Sequence, residues 1–434
     1  MLLIYTHKIT PRLQYIADLL LRELLEIDFE FTTSTDRFYQ HEGYKLNYSR
    51  NRIGGELFIY SHSILFESEI HQQRMEYGEV NGITTLFSSN KEDDLSYDPF
   101  AASFFLVSRY EEYLPFKEDK YGRYRIEKSA AYDRGFNQIP VVNHYALHLK
   151  ELLQLRYPDL VFPSKAYQFV LTYDVDQAFK YSDLPWFRKY GSLVRSLFRR
   201  DKEFLKERKA VLSGQIKDPY DTYDYQFELN NRYRIYPIYF FHMGNYGAND
   251  KSNVWNSRRM GTLVKSISEK YLIGIHPSYN SHDKPKKIEM EIARLNAASS
   301  RQITRSRQHF LRMSFPETYR RLIEQGITED YTLGNPGLIG FRASIASPFY
   351  FYDLIRDENT NLRIFPFAAM DSALYYHMKV TSETALSELK ILVDEVKKVH
   401  GTFIYIAHND LIGKQSPWKG WNSYYEQFIE YARE

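Results

Sequence analysis

Residues 167–176, YQFVLTYDVD, decide how the rest of the chain is read. Positions 167–171 are aromatic or aliphatic apart from Gln168, and the run contains no Gly or Pro. Such a run reads as a core strand of a parallel sheet. Parallel α/β sheets carry their chemistry at the carboxyl ends of the strands. Asp174 and Asp176 stand at that end, and the two-residue period of a strand sends both side chains to one side. Two neighbouring carboxylates suit a metal ligand beside a general base, because a cation stabilises one and leaves the other free to take a proton. A solvated turn or a helix cap explains such a pair equally well when it stands alone.

Three more apolar runs follow, each ending in a polar group. Residues 271–275, YLIGI, lead into His276-Pro-Ser-Tyr-Asn280. Residues 303–306 lead into Arg307-Gln-His309, and residues 401–407, GTFIYIA, end in His408-Asn409-Asp410. Asp, His, Arg and His in this order, each at a strand end, resemble the motif series of the polysaccharide deacetylase family (the NodB-like homology domain). Thr172-Tyr-Asp-Val-Asp176 is similar to that family's T-x-D-x-D motif. The resemblance spans roughly residues 167–432.

The resemblance implies a deformed (β/α) barrel and a metal-dependent hydrolase, its metal a divalent cation such as Zn2+. The substrate class implied is an acetylated amino sugar, oligosaccharide or lipid-linked glycan, losing an N-acetyl or O-acetyl group. Carried over residue by residue, Asp174 is the base, Asp176 and His276 are ligands, Arg307 orients the base and His408 is the general acid. Two positions depart from the pattern. Asn280 stands where the family's H-[S/T]-x-x-H motif has its second ligand His, and no Pro follows Arg307 at the expected place. A neutral amide oxygen suits zinc less well than imidazole. Asn280 as a weak ligand, or His309 as the replacement nitrogen, are the two ways to complete the set. Arg342 and Asp371 follow further strand-like segments, where they line a sugar pocket or form a structural bridge. His242 ends another such segment, residues 237–242. Two other classes stay open: a catalytically degenerate glycan- or partner-binding protein, and a glycoside hydrolase built on Asp174 and a second acid.

At 434 residues the chain exceeds what one core usually supports, so a two-part organisation is expected. The division falls at residues 162–165, FPSK, giving an α/β region over 1–163 and the barrel over 164–434. In the first part, residues 2–5 and 56–60 read as strands, and 16–25, 100–113 and 143–155 as helices. The pairing of such a region with a deacetylase-like half resembles an arrangement in bacterial proteins. A net charge of +2, from 57 basic and 55 acidic residues, gives no global pull toward nucleic acid. The chain has no Cys, so any metal must be held by His, Asp, Glu or Asn. Aromatic residues make up 16% of the chain, with 38 Tyr, which suits sugar stacking and core packing alike.

The N-terminus lacks a basic segment followed by a long apolar one, and no window nears the length of a membrane span, so a cytoplasmic protein is expected. Residues 185–219 form an insertion in the barrel. Within it, positions 186–209 carry nine basic residues (Arg188, Lys189, Arg195, Arg199, Arg200, Lys202, Lys206, Arg208, Lys209) against three acidic ones. Interleaved apolar residues make this a basic amphipathic segment, which either contacts an anionic membrane peripherally or packs on the barrel with a solvated face.

Overall fold

The computed structural model describes residues 1–89, 93–413 and 421–434. The chain is an α/β protein with two main sheets, the first parallel and the second parallel but for one pair. The first joins β1 (Leu2–Tyr5), β2 (Phe29–Thr32), β3 (Lys45–Ser49) and β4 (Leu57–Tyr60) in the order β2-β1-β3-β4, all parallel. A hairpin, β5 (Tyr77–Val80) with β6 (Ile83–Leu86), stands apart from it. An extended connection over residues 160–167 leads to the second sheet.

That sheet has nine strands: β7 (Gln168–Val175), β8 (Ile238–Phe241), β9 (Leu272–Ile275), β10 (Arg305–Ser306), β11 (Glu329–Asp330), β12 (Phe349–Asp353), β13 (Glu358–Ile364), β14 (Ala369–Met370) and β15 (Thr402–His408). Their order is β12-β13-β11-β10-β9-β8-β7-β15-β14, parallel throughout except for the β12–β13 pair. Helices link the strands, giving the expected barrel-like α/β half after a smaller α/β region. β7 and β15 are neighbours near the β14 end of this order, and their register sets His408 beside Asp174. Burial along β7 begins at Leu171; Tyr173 and Val175 are fully inside, whereas Gln168 is exposed. The core of this strand is therefore its carboxyl half, the half that carries the acids.

Several expected elements differ in extent. The first helix starts earlier, at Pro11, because Thr10 caps it and Pro is pre-set for the first turn. Residues 100–113 do not form one helix: Pro99–Val107 ends, and Arg109 takes a left-handed conformation before a short turn over Tyr110–Tyr113. The physical reason is a tertiary demand on Arg109. Buried there, it donates from Nε to Glu112 and from Nη1 to the Arg342 carbonyl. The strand expected at 303–306 shortens to Arg305–Ser306.

The two sheets share one continuous cluster of buried apolar residues. Polar contacts cross the same boundary. Arg12 donates from Nε to Asp357 at 2.8 Å, Tyr15 donates to the Tyr350 carbonyl, and Phe341 N–H reaches the Asn137 carbonyl at 2.7 Å. Gly340 sits at φ +123°, where a Cβ would lie 2.3 Å from that same carbonyl, so the close approach requires glycine. No described helix is long and apolar enough to cross a membrane.

Candidate metal centre

The parallel register brings the ends of β7, β8, β9, β10 and β15 together, and the functional side chains follow from those ends. Arg307, just past β10, is fully buried. It donates from Nη1 to Asp174 Oδ1 and Thr172 Oγ1, both at 2.8 Å, and from Nε to the Tyr331 carbonyl at 3.0 Å. Its guanidinium lies over the Phe240 ring at 4.5 Å. This charged group is thus held through Nε and Nη1, its Nη2 buried without a hydrogen-bond partner, and it orients one Asp174 oxygen.

His276 leaves β9 with its Nδ1 at 2.5 Å from the Arg307 carbonyl. A carbonyl only accepts, so Nδ1 carries the proton and Nε2 presents a lone pair in the neutral ring. That Nε2 lies 3.0 Å from Asp176 Oδ1, and both atoms are buried without a hydrogen-bond partner. At this distance the two atoms share a cation, a second ring proton in metal-free protein or a metal ion in its place. His309 adds a third donor: its Nε2 is 3.6 Å from Asp176 Oδ2. Asp176, His276 and His309 form a group of metal-ligating geometry, and their chemistry, two imidazoles and a carboxylate with the rest of the sphere open, fits a catalytic zinc.

A second cluster, His242, Asp250 and His309, meets the same distance test. Its hydrogen bonds argue for a different role. Gly244 N–H donates to His242 Nδ1, so the His242 proton is on Nε2 and points at Asp250 Oδ1, 3.2 Å away. His309 Nδ1 lies 3.0 Å from the same oxygen, which also accepts from Tyr279 N–H at 2.7 Å. Asn280 donates from Nδ2 to Asp250 Oδ2 at 3.0 Å. Burial would raise this carboxyl, but the hydrogen bonds from His242 and His309 hold it well below the usual carboxylate range. Asp250 is already saturated with donors. It acts as the carboxylate of a carboxylate–histidine–metal relay, leaving His309 Nε2 free to ligate. Gly244 allows this packing, since a Cβ there would lie 2.7 Å from His242 Cε1 and Ser278 Cβ.

The structure therefore places Asn280 against Asp250 rather than in the ligand group, and it brings His309 into that group instead. In metal-free protein His309 is pushed up to about 9: burial opposes its charge, but Asp176 and Asp250 outweigh it. The same two His neighbours hold Asp176 far below its ordinary value against the effect of burial.

His408 closes the opposite side. Asp371 accepts from His408 N–H and from its Nδ1, both at 2.6 Å, which points Nε2 toward Asp176 Oδ2 at 4.0 Å. Burial disfavours the imidazolium, but Asp371 raises His408 well above its usual range. Asp371 thus stands behind His408 and makes no bridge to Arg342. Arg342 is held by Glu112, from Nε at 2.9 Å and Nη2 at 2.5 Å, at the boundary with the first sheet and away from the cavity.

Asp174, Asp176, His276, His309 and His408 open onto one cavity of about 320 Å³. Arg123, Phe310, Tyr376, His377 and Asp410 line it too. Burial pushes the Asp410 carboxyl up to about 6. Sequence reasoning missed Asp250, Arg123, Tyr376 and His377 as site residues, because they come from loops and irregular turns with no strand-end signature. Asp410 was visible two positions after His408 but had no motif to give it a role.

Residues 2–158 match a family of unknown function (DUF7033). No curated protein sequence matches the chain. Among solved structures, a protein assigned as a polysaccharide deacetylase from Mycobacterium smegmatis is similar at 13% identity and a TM-score of 0.42, covering 63% of this chain and 86% of that one. One from Pseudomonas aeruginosa PAO1 is similar at 10% identity and a TM-score of 0.40, covering 62% and 85%. A 4-alpha-glucanotransferase from Thermococcus litoralis has 12% identity and a TM-score of 0.35, covering 63% of this chain but 38% of that one. Likeness of this degree concerns the fold; function rests on the side chains.

Proposed function

We propose that the chain is a metal-dependent hydrolase that removes an acetyl group from an acetylated sugar, with Asp176, His276 and His309 as the ligands. The observation that carries this reading is the convergence of His276 Nε2 and His309 Nε2 on Asp176, at 3.0 and 3.6 Å, each ring held from behind by an acceptor on its Nδ1. A divalent cation held there supplies Lewis-acid polarisation of a carbonyl and a water of lowered pKa.

The chain's own residues do the rest. Asp174 receives the proton of the attacking water on its Oδ2, since Oδ1 is occupied by Arg307. Arg307 makes no further contribution to the proton transfer; it keeps the carboxylate aimed. His408, held protonated by Asp371, gives its Nε2 proton to the departing sugar nitrogen or oxygen. Both acid and base face one cavity whose volume suits a single sugar ring with its acyl group.

The surroundings of the cavity support a substrate at a membrane surface. The insertion forms two helices, Trp186–Arg199 and Lys202–Leu212. Trp186 (74%), Tyr190 (66%) and Phe198 (85%) are largely exposed on the first of them. The side chains of Arg195, Leu197 and Arg199 lie outside the described residues. Arg188 reaches Gln177, the neighbour of Asp176, so the helix begins beside the site. An exposed apolar face with basic flanks suits an anionic lipid surface and a lipid-linked glycan.

The deciding experiment pairs two measurements on protein purified without chelator: zinc content, and acetate release from acetylated chitooligosaccharides and acetylated polysaccharides. About one zinc per chain together with acetate release is the expected result. A chain that holds no zinc and releases no acetate from any of them sinks the reading.

A further inference from the structure

Arg123 belongs to the N-terminal region, yet it lines the same cavity as Asp174, Asp176, His276 and His309. Its loop is built for this position. Asp119 Oδ1 accepts from the backbone N–H of Tyr121 at 2.8 Å and of Arg123 at 3.0 Å. Asp119 Oδ2 takes the Arg123 Nε at 2.8 Å and lies 2.7 Å from Nη2. The guanidinium is thereby held in a fork, and its Nη1 donates to the Phe310 carbonyl at 2.8 Å. Tyr121 packs its ring on Phe310 at 5.1 Å.

Phe310 is an unusual place to brace. It and Leu311 have φ of 60° and 51°, two successive left-handed residues, neither of them Gly. Such a conformation is strained for side chains of this size and persists only where the surroundings over-determine it. The strained turn follows directly on His309, whose Nε2 faces Asp176. The Phe310 carbonyl therefore has its acceptor capacity met by a residue from the other part of the chain, one position after a proposed ligand.

We propose that the loop at residues 119–123 is a working part of the site: Arg123 is a positioning residue that holds the His309–Leu311 turn in its left-handed course and so aims His309 at the metal. This gives the region of unknown function a role in the same centre, and it rests on the metal-hydrolase reading for the identity of what His309 meets. The strain supplies the reason. Without the Arg123 donor, the turn relaxes toward ordinary backbone angles, and a ring on a relaxed turn loses its alignment with Asp176 and His276.

The test uses the full chain with Arg123→Ala and Arg123→Lys, reading two quantities. Amide hydrogen exchange over residues 308–313 reports the turn, and competition with a chromogenic chelator reports zinc affinity. Arg123→Ala is expected to speed exchange there at least tenfold and to weaken zinc about tenfold, with the melting temperature of the whole chain little changed. Arg123→Lys, which keeps a donor for the Phe310 carbonyl, is expected to recover most of the zinc affinity, a rescue that a general packing role would not give. Wild-type exchange over 308–313 in Arg123→Ala overturns the inference, as does a Lys variant no better than Ala. If the wild-type chain itself holds no zinc, the hydrolase reading fails; the exchange measurement still decides whether Arg123 braces the turn.

Discussion

Asp250 Oδ1 lies 3.0 Å from His309 Nδ1, and this one contact fixes which face of the His309 ring is available. The carboxylate accepts a hydrogen bond from Nδ1–H, so Nε2 turns toward Asp176 as a lone pair once the ring is neutral. His242 and Asn280 bind the same carboxylate from other directions. Asn280 therefore holds the carboxylate that holds His309.

The relay makes the first prediction. Asp250→Asn keeps the size of the side chain and one acceptor oxygen but removes the charge behind the His309 ring and sets an NH2 against the Asn280 donor, and zinc affinity is expected to fall about 10–100-fold. Asn280→His, which in the resembled family would supply a ligand, is expected to give no tightening here, because a larger ring meets Asp250 and the backbone at Gly247. Chelator competition on both variants checks this; tighter zinc in Asn280→His would put Asn280 back among the ligands.

A second prediction separates the two acids at the carboxyl end of β7, Asp174 within it and Asp176 just past it. Asp176→Ala and His276→Ala are expected to abolish zinc retention. Asp174→Asn is expected to retain it and lose at least about 100-fold in acetate release, the scale of a missing general base. Equal metal loss in all three would mean that the carboxylates share one role.

These roles were partly legible in the sequence, and the reason is periodicity. Asp174, Asp176, His276, Arg307 and His408 each end an apolar run, so a strand-end rule collects them, and the parallel register brings four of them to one cavity with Arg307 buried behind Asp174. Asp250 has no such signal. It comes from the loop after β8, and only the tertiary fold brings it to His309, 59 positions away. The choice between Asn280 and His309 was open for the same reason: spacing says which residues are near a strand end, not where an amide turns. The Arg342 assignment fails to reach the cavity because its partner, Glu112, lies 230 positions earlier in the other sheet's half. No local pattern encodes that pairing.

The third prediction concerns pH. In metal-free protein His309 titrates near 9 when folded and near 6.5 when unfolded. A raised folded value means the contribution is fully present below about pH 6.5 and is lost as pH rises to about 9. The difference in unfolding free energy between wild type and His309→Gln is expected to shrink over that window, by up to about 3 kcal/mol. His408 contributes with the same sign, which is why the difference between the two proteins is the measured quantity. Zinc requires the neutral ring, so its affinity runs the other way and is expected to rise about tenfold per pH unit in the same window. Denaturation of the apo-proteins at pH 6, 7.5 and 9.5 checks the first trend, and a pH-independent difference contradicts it.

The last prediction tests whether the insertion brings the site to a membrane. On the helix Trp186–Arg199, positions 187, 190, 194 and 198 recur at helical spacing and are all exposed, Phe198 at 85%. Such a face costs free energy in water and is normally covered. Two coverings fit an apolar stripe, a partner helix or a lipid surface, and charge favours the second: positions 186–209 hold nine basic residues against three acidic. Each basic group near an anionic leaflet contributes about 1 kcal/mol within a Debye length, and a buried aromatic adds to it. Co-sedimentation with vesicles of anionic phospholipid is expected to retain the protein at low salt, to release it substantially at high salt, and to show little binding to neutral vesicles. Phe187→Ser with Phe198→Ser is expected to weaken the residual binding at high salt, where the apolar contribution alone remains, while leaving zinc content unchanged. Failure to bind anionic vesicles at low salt would leave the stripe to a protein partner and the substrate without a lipid anchor.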